Sequence, residues 1–265
     1  MRHTTWVRGI ALLGIMTILC INCCIYAGAD DACHWYCKRT TDHSQPQFAE
    51  DLSWVKEYNG IYINQFKDDN SPDKVVYLTF DAGYENGNVE KILNVLKEEN
   101  VPGAFFILGN LIERNPELVK RMSDEGHLVC NHTNKHKNIT KLDKAGIKEE
   151  IQALEIAYTE LTGKKMAKYF RPPEGTFDKE SLSAVQECGY KTVFWSFAYA
   201  DWDNQKQMSP QDAKRKIMSN LHNGEIMLLH PTSATNAMVL REVIQEIKSM
   251  GYRIGSLDEI NTKEP

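Results

Sequence analysis

Six ionisable residues stand out by type and spacing. Asp81 ends the apolar run 75–80, and His230 ends the apolar run 226–229. His132 and His136 lie four apart, a spacing that lets two imidazoles share one ion. Arg171 follows Lys168-Tyr169-Phe170, and Asp201 stands before Trp202. Together these types supply two carboxylates, a guanidinium and three imidazoles, two of them spaced to share a metal. That set suits hydrolysis of an amide or ester. Each residue also has an ordinary reading. An Asp before Ala82-Gly83 is a turn former, and a histidine after four apolar residues can be a satisfied core residue. What favours the chemical reading is that nearly every one closely follows an apolar run.

The elements that must hold them alternate. Apolar, strand-like runs occur at 75–80, 104–108, 128–130, 168–170, 192–195 and 226–229. Helical spacing separates them at 88–99, after Pro116 up to Gly126, and over 144–162, 179–187, 210–221 and 239–250. This alternation predicts an α/β fold with a parallel sheet. Six or so repeats predict a distorted (β/α) barrel of about seven strands, with its reactive residues at the strands' C-terminal ends. All six residues then fall on one rim.

The flanks carry other information. Arg2 and Arg8 precede an apolar run over 10–26 and then Ala27-Gly28-Ala29, which predicts a signal peptide or membrane anchor over 1–29 and an exported remainder. Residues 30–73 read as an irregular lead-in. Its aromatics Trp35, Tyr36, Trp54, Tyr58 and Tyr62 are expected to pack on the main domain, 74–262. Cys33 and Cys37 allow a local disulfide in an exported chain, whereas Cys130 and Cys188 sit in apolar contexts suited to a core. A net charge of −5 with no long basic run argues against a nucleic-acid partner.

Five ordered segments resemble the motifs of the polysaccharide deacetylases with a NodB-type domain: Thr79-Phe80-Asp81-Ala82-Gly83-Tyr84, His132-Thr133-x-x-His136, Arg171-Pro172-Pro173-Glu174-Gly175, Asp201-Trp202 and Leu228-Leu229-His230. Within that family the run Gly83-Tyr84-Glu85-Asn86-Gly87 is similar to the δ-lactam-forming de-N-acetylases of the bacterial spore cortex. The resemblance implies removal of N-acetyl groups from peptidoglycan strands, with N-acetylmuramic acid as the sugar. N-acetylglucosamine deacetylation and a silent glycan-binding homologue are the alternatives. It further implies Asp81 as base, oriented by Arg171, and His230 as acid, supported by Asp201. Trp202, Tyr84, Pro173 and Leu228 become the glycan contacts, and His132 and His136 the ligands of a divalent ion, zinc by analogy. Two positions depart from the family pattern. Ala82 replaces the carboxylate that normally completes the metal site, so the ion is expected to be weakly held, and Glu174 replaces an aromatic residue.

Overall fold

The computed structural model describes residues 32–260 apart from 41, 48, 69 and 70. The expected signal or anchor over 1–29 lies outside them. Among the described residues no helix is long and apolar enough to cross a membrane.

The strands are β1 (Cys33–His34), β2 (Val75–Ala82), β3 (Ala104–Ile107), β4 (Leu128–Asn131), β5 (Tyr169–Phe170), β6 (Thr176–Phe177), β7 (Lys191–Thr192), β8 (Glu225–Leu229) and β9 (Arg253–Ile254). The helices are α1 (Val89–Glu98), α2 (Gly109–Arg114), α3 (Pro116–Asp124), α4 (Lys144–Thr162), α5 (Lys179–Glu187), α6 (Pro210–Ser219) and α7 (Ala234–Ser249). Seven strands form a parallel sheet in the order β7-β5-β4-β3-β2-β8, with β9 beside the start of β2. The sheet curls into a half-barrel, which is the distorted (β/α) architecture the alternation predicted.

Both faces of β2 are covered, as expected of a parallel strand. Val76, Leu78, Phe80 and Ala82 join the large apolar cluster that includes α1 and α7 residues. Val75 and Tyr77 face a second cluster with Phe106, Cys130 and Ile226. The pleat therefore sends Thr79 and Asp81 to this second side, the concave side of the sheet.

Three elements differ from the sequence expectations. The strand expected over 192–195 is only two residues long, as β7. Beyond it the chain leaves the ladder: Phe194 N–H donates to Ile61 O at 2.8 Å, and Phe197 bridges to Met227 of β8. The last helix begins at Ala234, five residues before the expected Val239, because Ser233 caps it by accepting the Asn236 N–H at 3.1 Å. The short α2 has no counterpart in the sequence reading. Six residues starting with glycine give too little periodicity to detect.

Lead-in residues from Ala32 onward belong to the same compact unit as the sheet. Trp35 is buried and stacks on Phe194 with centroids 4.3 Å apart, and β1 pairs antiparallel with β6. Tyr36 differs from the other lead-in aromatics in being 58% exposed. Cys37 is a thiol, its S–H donating to Trp195 O at 2.6 Å, and not half of a Cys33–Cys37 disulfide. Cys130 is buried in the core, and Cys188 is partly buried against a third apolar cluster.

Candidate active site

The predicted residues sit where the strands end. Asp81 is next to last in β2, while His132, Arg171 and His230 directly follow β4, β5 and β8. Parallel neighbours bring these ends together, because the ladder sets Asp81 against Phe106 and Asn131 against Phe170.

Arg171 is fully buried, and four hydrogen bonds hold its guanidinium. Nη1 donates to Asp81 Oδ1 at 2.7 Å, Nη2 to Thr79 Oγ1 at 2.9 Å and Phe194 O at 3.3 Å, and Nε to Val193 O at 2.9 Å. The cation also lies over the Phe106 ring, 4.1 Å from its centroid. A buried charge needs this kind of saturation to be tolerated. Burial raises the Asp81 pKa, but the charges of Arg171, His132 and His230 outweigh it, and the net shift is downward. Asp81 is therefore ionised, with one oxygen committed to Arg171.

Asp81 Oδ2 faces His132 Nε2 at 3.7 Å. His132 Nδ1 donates to Arg171 O at 2.8 Å, which leaves Nε2 as a bare lone pair. Burial pushes the His132 pKa down to about 4, so the ring is neutral and able to ligate. His136 stands beside it, ring centroids 5.0 Å apart and planes 69° to each other. Thr133 and His136 both adopt left-handed backbone, φ 71° and 56°. Two such residues in one short turn are strained, a cost that structures tend to keep where a site requires it. Among the described residues no three His, Cys, Asp or Glu side chains form a metal-binding group. The donor set fits a cation held by two imidazole nitrogens, with Asp81 beside them and no third ligand from Ala82. Ala82 is fully buried in the apolar cluster on the opposite face of β2.

Across the rim, His230 pairs with Asp201. Its ring is 2.7 Å from Oδ1 through Nδ1, and its backbone N–H donates to Oδ2 at 2.8 Å. Burial lowers the His230 pKa, but hydrogen bonding and charge from Asp201 outweigh it, and the net shift is upward. Trp202 is 61% exposed and meets the His230 ring edge-on at 6.1 Å. Tyr84 is 44% exposed, its hydroxyl accepting from Asn204 Nδ2 at 2.7 Å. Both aromatics present surface to solvent, Trp202 beside His230. Pro173 and Leu228 are buried.

Sequence reading missed three kinds of support. Asn236 donates to Asp201 Oδ2 at 2.6 Å and to His230 O at 3.1 Å from the first turn of α7. Thr79 anchors Arg171. Asn86 and Asn88 donate to Thr232 O at 2.9 and 3.1 Å, which ties the loop after β2 to the loop carrying His230. An asparagine in a helix's opening turn is a poor helix former, and that was the available signal for Asn236.

Comparison with known proteins agrees with this geometry. Residues 68–193 match the family model described as polysaccharide deacetylase, a span that holds Asp81, His132, His136 and Arg171. The chain is 35% identical over 257 residues to the peptidoglycan-N-acetylmuramic acid deacetylase PdaA of Bacillus subtilis (strain 168), covering 92% of this chain and 96% of the relative. It is 31% identical over 210 residues to a peptidoglycan-N-acetylglucosamine deacetylase of Bacillus cereus, covering 78% and 73%. The solved structure of Bacillus subtilis PdaA, described as a family 4 carbohydrate esterase, superposes with a TM-score of 0.82 at 36% identity, covering 88% of this chain and 97% of that one. With likeness running over most of the chain's length and through its fold, this protein belongs to the polysaccharide deacetylase family with a NodB-type domain, the family 4 carbohydrate esterases.

Proposed function

We propose that this hydrolase removes the acetyl group from N-acetylmuramic acid in peptide-stripped peptidoglycan strands, leaving an amine whose neighbouring lactyl carboxylate can close the δ-lactam of spore cortex. The observation that carries the deacetylase chemistry is the pairing of two differently tuned groups on one rim: an ionised Asp81 held by Arg171, and a His230 whose pKa Asp201 raises. The muramic substrate is supported by the 35% identity to PdaA and by the Gly83–Gly87 run. An exported location follows from the substrate.

The residues divide the work as follows. Asp81 Oδ2 accepts a proton from the attacking water. The lowered pKa makes Asp81 a weak base, and the hydrogen bond from Arg171 offsets this by holding Oδ2 oriented toward the water it deprotonates. His230 uses Nδ1 to hold Asp201, so Nε2 is left to protonate the leaving amine. Trp202 and Tyr84 offer flat faces to the sugar rings. His132 and His136 hold a divalent ion, zinc in our reading, and when bound it supplies Lewis acidity to the acetyl carbonyl and the attacking water.

Incubation with peptide-free glycan strands, followed by mass analysis of each sugar, tests the proposal. Acetate release with muramic amine as product is the expected result. Loss of acetyl from glucosamine alone would assign the other sugar. No acetate release from either would leave a glycan-binding homologue.

A further inference from the structure

We propose that Trp35, Cys37 and Arg39 of the lead-in are positioning residues for Arg171, acting through the backbone carbonyls of 193–198. The inference rests on the deacetylase reading of the rim and adds to it a role for a segment outside the sheet.

The segment 193–198 is irregular: backbone bonds tie its N–H groups to Phe170, Ile61 and Ile226, and side chains hold several of its carbonyls. Its first two face the site: Val193 O accepts from Arg171 Nε and Phe194 O from Arg171 Nη2. The next faces away, and the lead-in saturates it. Trp195 O accepts from Trp35 Nε1 at 2.9 Å and from the Cys37 thiol at 2.6 Å. Farther on, Ala198 O accepts from Arg39 Nη2 at 2.5 Å, and the Arg39 guanidinium lies 5.7 Å from the Phe197 ring centroid. Side chains alternating along 35–39 place Trp35, Cys37 and Arg39 on one row, while Tyr36 between them is exposed.

Two of the four hydrogen bonds described for Arg171 therefore end on a stretch whose next carbonyls are held by three lead-in donors. A peptide-plane rotation at Trp195 would turn the preceding carbonyl away from Arg171, and Asp81 would lose the fixed orientation of its partner. The same stretch runs on to Asp201 three residues later, so the clamp serves both halves of the rim. Cys37 suits the role because burial pushes its pKa up to about 12, which keeps the sulfur protonated as a donor.

The test uses the full chain with three variants: Trp35→Phe combined with Cys37→Ala, Arg39→Met and Arg39→Lys. Trp35→Phe keeps an aromatic ring on Phe194 but removes the N–H. Arg39 is exposed, so its variants fold even if the double variant does not. Misplaced catalytic geometry predicts that kcat falls by about ten- to a hundredfold while KM stays within about twofold. Arg39→Lys, which retains a donor and a cation, regains most of the loss. Independently of turnover, the Arg171 Nε–H resonance, identified by its absence from Arg171→Lys, shifts or broadens in Arg39→Met and in the double variant. The inference is overturned if that resonance is unchanged and the loss in kcat only follows the unfolded fraction. It is also overturned if KM alone rises, which would make the lead-in a glycan-binding strip. If the wild type itself releases no acetate from peptidoglycan, the deacetylase reading fails, and the resonance still decides whether the lead-in fixes Arg171.

Discussion

His230 grips Asp201 at two points: Nδ1 lies 2.7 Å from Oδ1, and the histidine's own backbone N–H donates to Oδ2 at 2.8 Å. Asn236 adds a third donor to the same carboxylate at 2.6 Å. The contact fixes ring orientation and tautomer together, and it raises the imidazole's pKa above its ordinary 6.5.

This relationship sets the basic side of the pH–rate profile. The protonated His230 is the proposed acid, so activity persists above 6.5 and declines once the raised pKa is passed. Asp201→Asn removes the charge that raises it. The basic limb of kcat/KM should move to lower pH, with a fall in kcat, when rates are measured from about pH 5 to pH 9. A basic limb that does not move would take the proton-donor role away from His230.

Asp81→Asn should abolish turnover with the fold intact. The amide keeps the shape but cannot accept a proton, and its partner Arg171 remains held by Thr79, Val193 and Phe194. Loss of a general base costs about 10²–10⁴-fold. Acetate release within a few-fold of wild type, at unchanged melting temperature, would show that another group takes the proton.

The architecture and its rim were readable because parallel strands buried on both faces appear as apolar runs, and the polar residue after each run marks a strand end. Asp81, His132, Arg171 and His230 were all found that way. The supporting groups were not. Thr79 sits inside an apolar run and reads as a strand residue, while its hydroxyl accepts from Arg171 and donates to Met227 O at 2.8 Å. Asn236 is set by a tertiary contact with Asp201 that no local pattern encodes. The 193–198 stretch has strand composition, yet its partners are distant in sequence, Ile61 on one side and β8 on the other. Composition alone could not show that it leaves the ladder.

Metal dependence should be looser than a site with three protein ligands would give. Stable catalytic zinc normally takes three protein ligands and water, and here His132 faces the Asp81 carboxylate with His136 beside it. Dialysis against a chelator should abolish acetate release, and a divalent ion should restore it. Ala82→Asp buries a carboxylate within an apolar cluster, so the metal-free variant should melt below wild type. That carboxylate lies on the face of β2 away from Asp81 and His132, so added ion should raise the variant's melting temperature no more than the wild type's. Full wild-type activity after exhaustive chelation would remove the ion from the reaction.

Glu225 predicts a pH dependence of stability at the other end of β8. It is fully buried, with Oε2 accepting the His222 N–H at 3.1 Å and Oε1 lacking a hydrogen-bond partner. Burial pushes its pKa well above 4.5. The adjacent His222 offers no compensating charge, because burial pushes its own pKa down to about 4. A carboxyl whose folded pKa is raised contributes stability that is complete below its unfolded value and is lost as pH rises toward the folded value. His222 has the opposite sign: its depressed pKa costs stability as pH falls from 6.5 toward about 4. Glu225→Gln keeps the acceptor for His222 N–H and cannot ionise, so it removes only the alkaline loss. The variant should match wild type near pH 4.5 and exceed it increasingly toward pH 8, read as melting temperature, at about 2–4 °C per kcal/mol for a chain of this size. Since Glu225 lies at the strand's start and His230 beyond its end, kcat should not change. A stability difference constant with pH would mean that Glu225 is ionised in the folded protein.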